Sequence, residues 1–162
     1  MAVRQLRSIG VIGTPGCGKT TLCQNLGMPV ISLRDIAEEY QCLGDVEADG
    51  AAPMDVERLA KLWQHPEALT LIDGHLAHHV PVDALVVVRC HPEELRKRLI
   101  QRGYSAEKVR ANVEVEMIGG PWNELIGDSR PIFEGEGVRE WIESGCPPHT
   151  TPDSAIDWLS QP

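Results

Sequence analysis

The sequence predicts a single α/β domain built on a parallel sheet, and three observations carry that expectation. Apolar runs alternate with helix-like segments along all 162 residues, the rhythm of βαβ units. The run Leu85-Val86-Val87-Val88 is continuous and β-branched, as in a strand covered on both faces. The apolar segment Ile9-Gly10-Val11-Ile12 leads directly into Gly13-Thr14-Pro15-Gly16-Cys17-Gly18-Lys19-Thr20, which matches G-x-x-x-x-G-K-[ST] between a strand and a helix.

The expected elements follow from local signals. Strands are expected over residues 8–12, 29–33, 69–73, 85–90 and, most weakly, 138–142. Together they make five parallel strands. Helices are expected over 18–26, 34–41, 54–63, 92–102, 106–118 and 152–159. Pro92 suits a first helical position, Gly103 a left-handed stop, and Ser105 an N-cap. Thr151-Pro152-Asp153 reads as a cap followed by proline at the first helical position. Two stretches break the rhythm. Residues 44–53 are small and acidic and suit a substrate arm; residues 119–137 hold five glycines, two prolines and Trp122, and no element is assigned there.

Composition narrows the class. A length of 162 residues suits one domain, and 42% hydrophobic with 24% charged residues is ordinary for a soluble globular chain. No apolar run approaches the ~20 residues of a membrane span, so no membrane partner is expected. Residues 1–12 carry basic side chains and a short apolar run, but that run opens the phosphate loop and is not read as a signal peptide. The five cysteines are odd in number and lack a C-x-x-C pair, so they are read as reduced thiols of a cytoplasmic protein.

A net charge of −9 argues against general or sequence-specific nucleic-acid binding. Residues 89–110 nevertheless hold seven basic side chains against three acids. Such an island suits anionic phosphates, or a solvated helix with pairs such as Glu94 and Arg98.

The loop is expected to bind a nucleoside triphosphate. Its backbone N–H groups would cradle the phosphates, Lys19 would reach the β- and γ-phosphates, and Thr20 would offer a hydroxyl to Mg²⁺. Asp73, ending the apolar run Leu69-Thr70-Leu71-Ile72, is the acid expected to hold Mg²⁺ through water. A GTPase should also show Asn-Lys-x-Asp, and none of the four lysines follows an asparagine. Kinases of small phosphorylated acceptors need arginines and a lid that excludes water. Arg98 and Arg102, four apart and followed by Gly103, suit such a lid. His75 is expected at the crevice, while His78 and His79 lack a third ligand nearby and are read as surface residues rather than zinc ligands.

These residues resemble the adenylate kinase isoenzyme 6 family over nearly the whole length. The marks are residues 13–21, Ile-Ser-Leu-Arg-Asp-Ile-Ala-Glu-Glu at 31–39, and Asp-Gly-His at 73–75. To these are added Val-Val-Arg-Cys-His-Pro-Glu-Glu-Leu-Arg-Lys-Arg-Leu at 87–99, Arg-Gly-Tyr at 102–104 and Asn112-Val113-Glu114-Val115-Glu116. The resemblance implies a single P-loop kinase domain over 1–162, with a short lid near 101–111 and a monophosphate-binding region near 33–53. It places ATP on Gly13, Gly16, Cys17, Gly18, Lys19, Thr20, Thr21 and Arg102. The acceptor would meet Arg34, Asp35, His75 and Arg98, and Lys19, Asp73, His75 and Arg102 would serve catalysis. Some members carry Arg where this chain has Glu38, which leaves Arg34 as the base for the acceptor. The implied reaction is phosphoryl transfer from ATP to AMP or another nucleoside monophosphate. The family also implies ATPase activity and small ribosomal subunit maturation through a ribosomal protein. Two further readings stand beside it: an assembly-factor ATPase, and a kinase of another small acceptor such as shikimate or gluconate.

Overall fold

The computed structural model describes residues 5–48 and 51–161. Residues 1–4, 162 and, within the expected substrate arm, 49 and 50 lie outside the described residues.

Five parallel strands form one sheet: β1 (Ser8–Ile12), β2 (Val30–Ser32), β3 (Thr70–Asp73), β4 (Ala84–Val87) and β5 (Ile132–Glu134), in spatial order β2-β3-β1-β4-β5. Alternate side chains of the central strand serve opposite faces. Ile9 and Val11 pack with helices α1 (Lys19–Leu26) and α6 (Val138–Glu143) through Cys23, Leu26, Trp141 and Ile142. Ile12 packs on the other face with α2 (Leu33–Glu39) and α3 (Val56–Leu62) through Leu33, Ala37 and Leu59. A third cluster joins α4 (Pro92–Gln101) and α5 (Ala106–Met117) through Leu95, Leu99, Val109 and Val113, with Cys17 of the loop. The α4–α5 corner uses the expected signals. Gly103 has φ +80, and the Ser105 hydroxyl accepts from Lys108 N at 3.1 Å.

Two expected elements are corrected. Residues 138–142 form helix, because Val138, Trp141 and Ile142 recur at i, i+3 and i+4 and all point into the core. The fifth strand is instead Ile132–Glu134, a three-residue piece whose flanking proline and glycines hid its short pattern. Residues 152–159 are not one helix but two 3-10 turns, Pro152–Ser154 and Trp158–Ser160. Between them the backbone of Ile156 is otherwise engaged: its N–H donates to Glu134 Oε2 at 2.8 Å and its carbonyl accepts from Arg89 Nη1 at 2.9 Å.

Those bonds belong to a buried polar network at the end of β4. The Arg89 side chain, 2% exposed, pairs with Glu116 at 2.8 Å and Glu134 at 3.0 Å. Trp122 Nε1 donates to Glu134, Trp158 Nε1 to Glu116, and Cys90 N to Glu116. Thr14 of the phosphate loop donates its hydroxyl to Glu116 Oε1 at 2.8 Å. The network therefore fixes one side of the loop. Arg89 is the member of the basic island that sequence reasoning misassigned; it faces carboxylates, not phosphate.

Removing one partner of a buried ion pair costs about 3–5 kcal/mol, since the other charge is left unpaired. Glu116→Ala is expected to lose stability on that scale in urea unfolding, whereas Glu114→Ala, on the exposed side of α5, should shift the midpoint little.

Candidate active site

The site is assembled where the central strands end. The register pairs Val11 with Asp73 and Ser32 with Asp73, so the loop after β1, the acid ending β3 and the start of α2 converge. Such a crevice beyond the carboxyl ends of the strands is where open α/β sheets hold ligands. Gly74 permits the convergence: a Cβ there would lie 2.7 Å from Leu33 Cβ.

Gly16 shapes the loop. It has φ +90, and an added Cβ would lie 2.8 Å from Leu99 Cδ2, so a side chain would meet both backbone strain and α4. Cys17 N donates to Thr14 O at 3.0 Å, closing the turn. The Cys17 thiol is buried, and burial pushes its pKa up to about 11, so it is a packing group and not a nucleophile. Gly13 is buried beside it and Gly18, with φ +109, hands the chain to α1. Lys19 Nζ folds onto the loop and donates to Gly13 O at 3.0 Å and Thr14 O at 3.3 Å. Thr20 Oγ1 donates to Asp73 Oδ2 at 2.9 Å. That hydroxyl and carboxylate are hard oxygen ligands suited to Mg²⁺. Thr21 is exposed on the first turn of α1.

Beside this pair lies a cavity of about 500 Å³ whose lining includes Thr20, Arg34, Asp73, His75 and Met54. Leu43, joined to Met54 by an isolated antiparallel bridge, also lines it. The surrounding walls, and then the Lys19 ammonium, lower the His75 pKa below the ordinary imidazole value, keeping the ring neutral near pH 7. Asp35 and Glu38 are exposed on α2 and outside the lining.

Arg98 serves both readings of the basic island. It donates to Glu94 Oε1 at 3.3 Å and to the Gly16 carbonyl at 3.3 Å, so it is a surface ion pair that also reaches the loop. Arg102 caps the end of α4 and is exposed, four residues beyond Arg98 on that helix. His78 departs from expectation. It is buried, held by the 3-10 turn Ala77–His79, and lies against Glu124 of a second 3-10 turn, Gly120–Glu124. Burial, then His79, lower its pKa. No local pattern marks Thr14 and Glu116 as supports of the loop, or Glu134 as a partner of Arg89, because each bond joins residues far apart along the chain. The Asn-Val-Glu-Val-Glu segment that holds Glu116 was visible only as a motif.

A phosphate loop, a hydroxyl–carboxylate pair and an adjoining acceptor-sized cavity define a P-loop phosphotransferase. The comparisons agree. The family model described as "AAA domain" matches residues 9–119. The chain is 39% identical over 141 residues to the "Putative adenylate kinase" of Pyrococcus abyssi, covering 83% of this chain and 77% of that protein. It is 37% identical over 157 residues to the protein of the same description from Methanothermobacter thermautotrophicus, covering 94% and 89% respectively. Among solved structures it is similar to a shikimate kinase from Acinetobacter baumannii in complex with shikimate, at 15% identity and TM-score 0.49 over 86% of this chain and 90% of that one. That last likeness is too loose to bear on function. The chain belongs to the AAA-domain family matched over residues 9–119 and to the family of these archaeal proteins. Among the described residues no helix is long and apolar enough to cross a membrane.

Replacing the Asp73 carboxylate by an amide removes the charge beside the Thr20 hydroxyl. Asp73→Asn is expected to raise the Mg²⁺ concentration for half-maximal turnover by about tenfold or more. A Mg²⁺ titration that superimposes on the wild-type curve would reduce Asp73 to a turn residue.

Proposed function

We propose that this chain is a cytoplasmic nucleoside monophosphate kinase that transfers the γ-phosphoryl group of ATP to AMP. The observation that carries the reading is the cavity in which Arg34 and His75 stand beside Thr20 and Asp73. A base for the acceptor's phosphate therefore adjoins the groups suited to the donor's phosphates and its metal. The relatives' printed description supplies adenylate as the acceptor class.

In this reading the triphosphate lies over the N–H groups of residues 13–21 with the start of α1 behind it. Lys19 exchanges its bonds to the Gly13 and Thr14 carbonyls for phosphate oxygens. Thr20 would offer its hydroxyl to Mg²⁺ and Asp73 would hold the ion through water, and the ion would supply neutralisation of phosphate charge. Arg34 orients the acceptor phosphate, whose oxygen attacks the γ-phosphorus in line as the bond to the β-phosphate oxygen breaks, leaving two ADP. Neutral His75 donates or accepts one hydrogen bond at the acceptor, and Asp35 steadies the start of α2. Residues 33–53 act as the acceptor arm and 101–111 as the lid. Arg98 and Arg102 meet phosphate when that lid closes, and the closed lid keeps water from the γ-phosphorus. Catalysis is positioning and charge neutralisation, with no covalent intermediate.

A second role, ATP hydrolysis that times release of a small-subunit ribosomal protein, is supported by charge. Residues 111–162 carry ten acids and two bases; Glu116 and Glu134 are buried against Arg89 and Asp128 pairs with Arg130, which leaves seven exposed acids, while Arg139 is engaged by the Asn25 carbonyl. Acidic surfaces favour a basic partner, with association that slows as salt rises. Capture of a basic small-subunit ribosomal protein from matched cell extract at low salt, and its loss at high salt, is the expected result. Recovery of none would leave the kinase reading alone.

The kinase reading is tested by measuring ADP formation from ATP alone and from ATP with each nucleoside monophosphate. AMP is expected to stimulate the rate well above the ATP-only background, and Lys19→Ala to abolish it in a folded protein. Arg102→Ala should lower transfer about 10²-fold, the scale of one lost charged contact to the transferring group. A rate indifferent to every monophosphate would overturn the reading.

A further inference from the structure

Apart from the phosphate loop and the acceptor cavity, the described residues contain one cluster of metal-ligating side chains, His78, His79 and Glu124. The 3-10 turn Ala77–His79 sets the two imidazoles side by side, with ring centroids 4.1 Å apart and planes inclined by 37°. Glu124, from the turn Gly120–Glu124, meets both. Its Oε1 lies 3.4 Å from His78 Nε2 and its Oε2 3.2 Å from His79 Nε2. All three ligand atoms lie within 4.8 Å of one another.

The His78 side chain is 3% exposed, yet neither ring nitrogen has a hydrogen-bond partner. A buried polar group left unpaired is costly and rare. Glu124 Oε1 approaches His78 Nε2 only at 3.4 Å, the long end of hydrogen-bonding range. Ligands bound at zinc distances of about 2.0–2.2 Å in a tetrahedron stand about 3.3–3.6 Å apart, so one ligand atom from each residue, all within 4.8 Å, needs only a small inward turn of the side chains to share an ion. A water molecule could satisfy one nitrogen but would not account for the convergence of two imidazoles and a carboxylate.

We propose that His78, His79 and Glu124 form a binding site for a zinc-class divalent cation, with the fourth position open to solvent. Two imidazole nitrogens and one carboxylate suit Zn²⁺, whereas Mg²⁺ prefers six oxygen ligands in an octahedron. The exposed sides of His79 and Glu124, at 32% and 55%, give the ion a way in. The backbone of the first turn is already held, since Arg130 donates to the carbonyls of His78 at 2.6 Å and Val80 at 2.9 Å. The turn Gly120–Glu124 also lines, with Gly13, Thr14, Pro15 and His75, a cavity of about 90 Å³. An ion here ties the segment after β3 to the segment after α5 across the cleft beside the phosphate loop. The site is separate from Thr20 and Asp73, and its metal is of another class.

The test uses untagged, chelator-treated protein without nucleotide. Calorimetry should show one Zn²⁺ per chain, and Co²⁺ should give the visible absorption of a tetrahedral nitrogen–oxygen site. Zn²⁺ should also raise the melting temperature. Glu124→Gln and His79→Ala change exposed side chains, so both proteins should fold, and each should bind Zn²⁺ about 10²-fold more weakly or worse. His65→Ala, which removes an imidazole that is not part of the cluster, should bind like wild type. Absence of one-to-one binding in the wild type, or full affinity in both ligand variants, would overturn the site whatever the kinase assays give.

Discussion

The Arg89 guanidinium, held between Glu116 and Glu134, is the interaction on which the rest of this molecule depends. It stands at the end of β4, and its two carboxylate partners come from α5 and β5. Through them it reaches Thr14 of the phosphate loop, the indoles of Trp122 and Trp158, and the backbone of Ile156. A buried network of this kind stabilises only when every member is satisfied, and here the loop, the last strand and the tail each supply a missing partner. The irregular tail is thus accounted for. It is shaped by the carbonyl and N–H it must deliver to Arg89 and Glu134, not by helix propensity.

The same economy of placement operates at the nucleotide end. Gly74 lets Leu33 close onto β3, and the parallel register sets Asp73 level with both Val11 and Ser32. The loop, the acid and the first turn of α2 therefore occupy one corner of the sheet. The basic island divides by depth. Arg89 is buried and structural, Arg98 bridges surface and loop, and Arg102 stays at the exposed end of its helix. Charge counting along the chain could not separate these roles, because all three arginines occur in one segment.

What the sequence revealed and what it withheld follow one physical division. Local signals were legible: the phosphate loop, the Thr20 and Asp73 ends of adjoining elements, Pro92 at the start of α4, the Gly103 stop and the Ser105 cap all act within a few residues. The continuous apolar runs of β1 and β4 were legible for the same reason. Features made by distant partners were not. β5 is three residues long and gains its place from pairing with β4. The segment 138–142 offers apolar residues that suit a strand or a helix, and only the inward face at i, i+3 and i+4 decides it. His78 looked like a surface residue because Glu124, its neighbour in space, is remote in sequence, and the 3-10 turn that buries its ring leaves no periodic signal.

The close packing of Leu33 on Gly74 has a bearing on how such a chain can diversify. Because the contact leaves no room for a Cβ, the start of α2 and the end of β3 behave as one rigid block. Arg34 and His75 line the cavity from within this block, whereas Leu43 and Met54, joined by their own bridge, line it from outside the block. Substitutions there can reshape the cavity wall while Thr20, Asp73 and the loop keep their relative positions. The outer wall of the cavity can thus drift in shape without disturbing the corner where the loop and the acid meet.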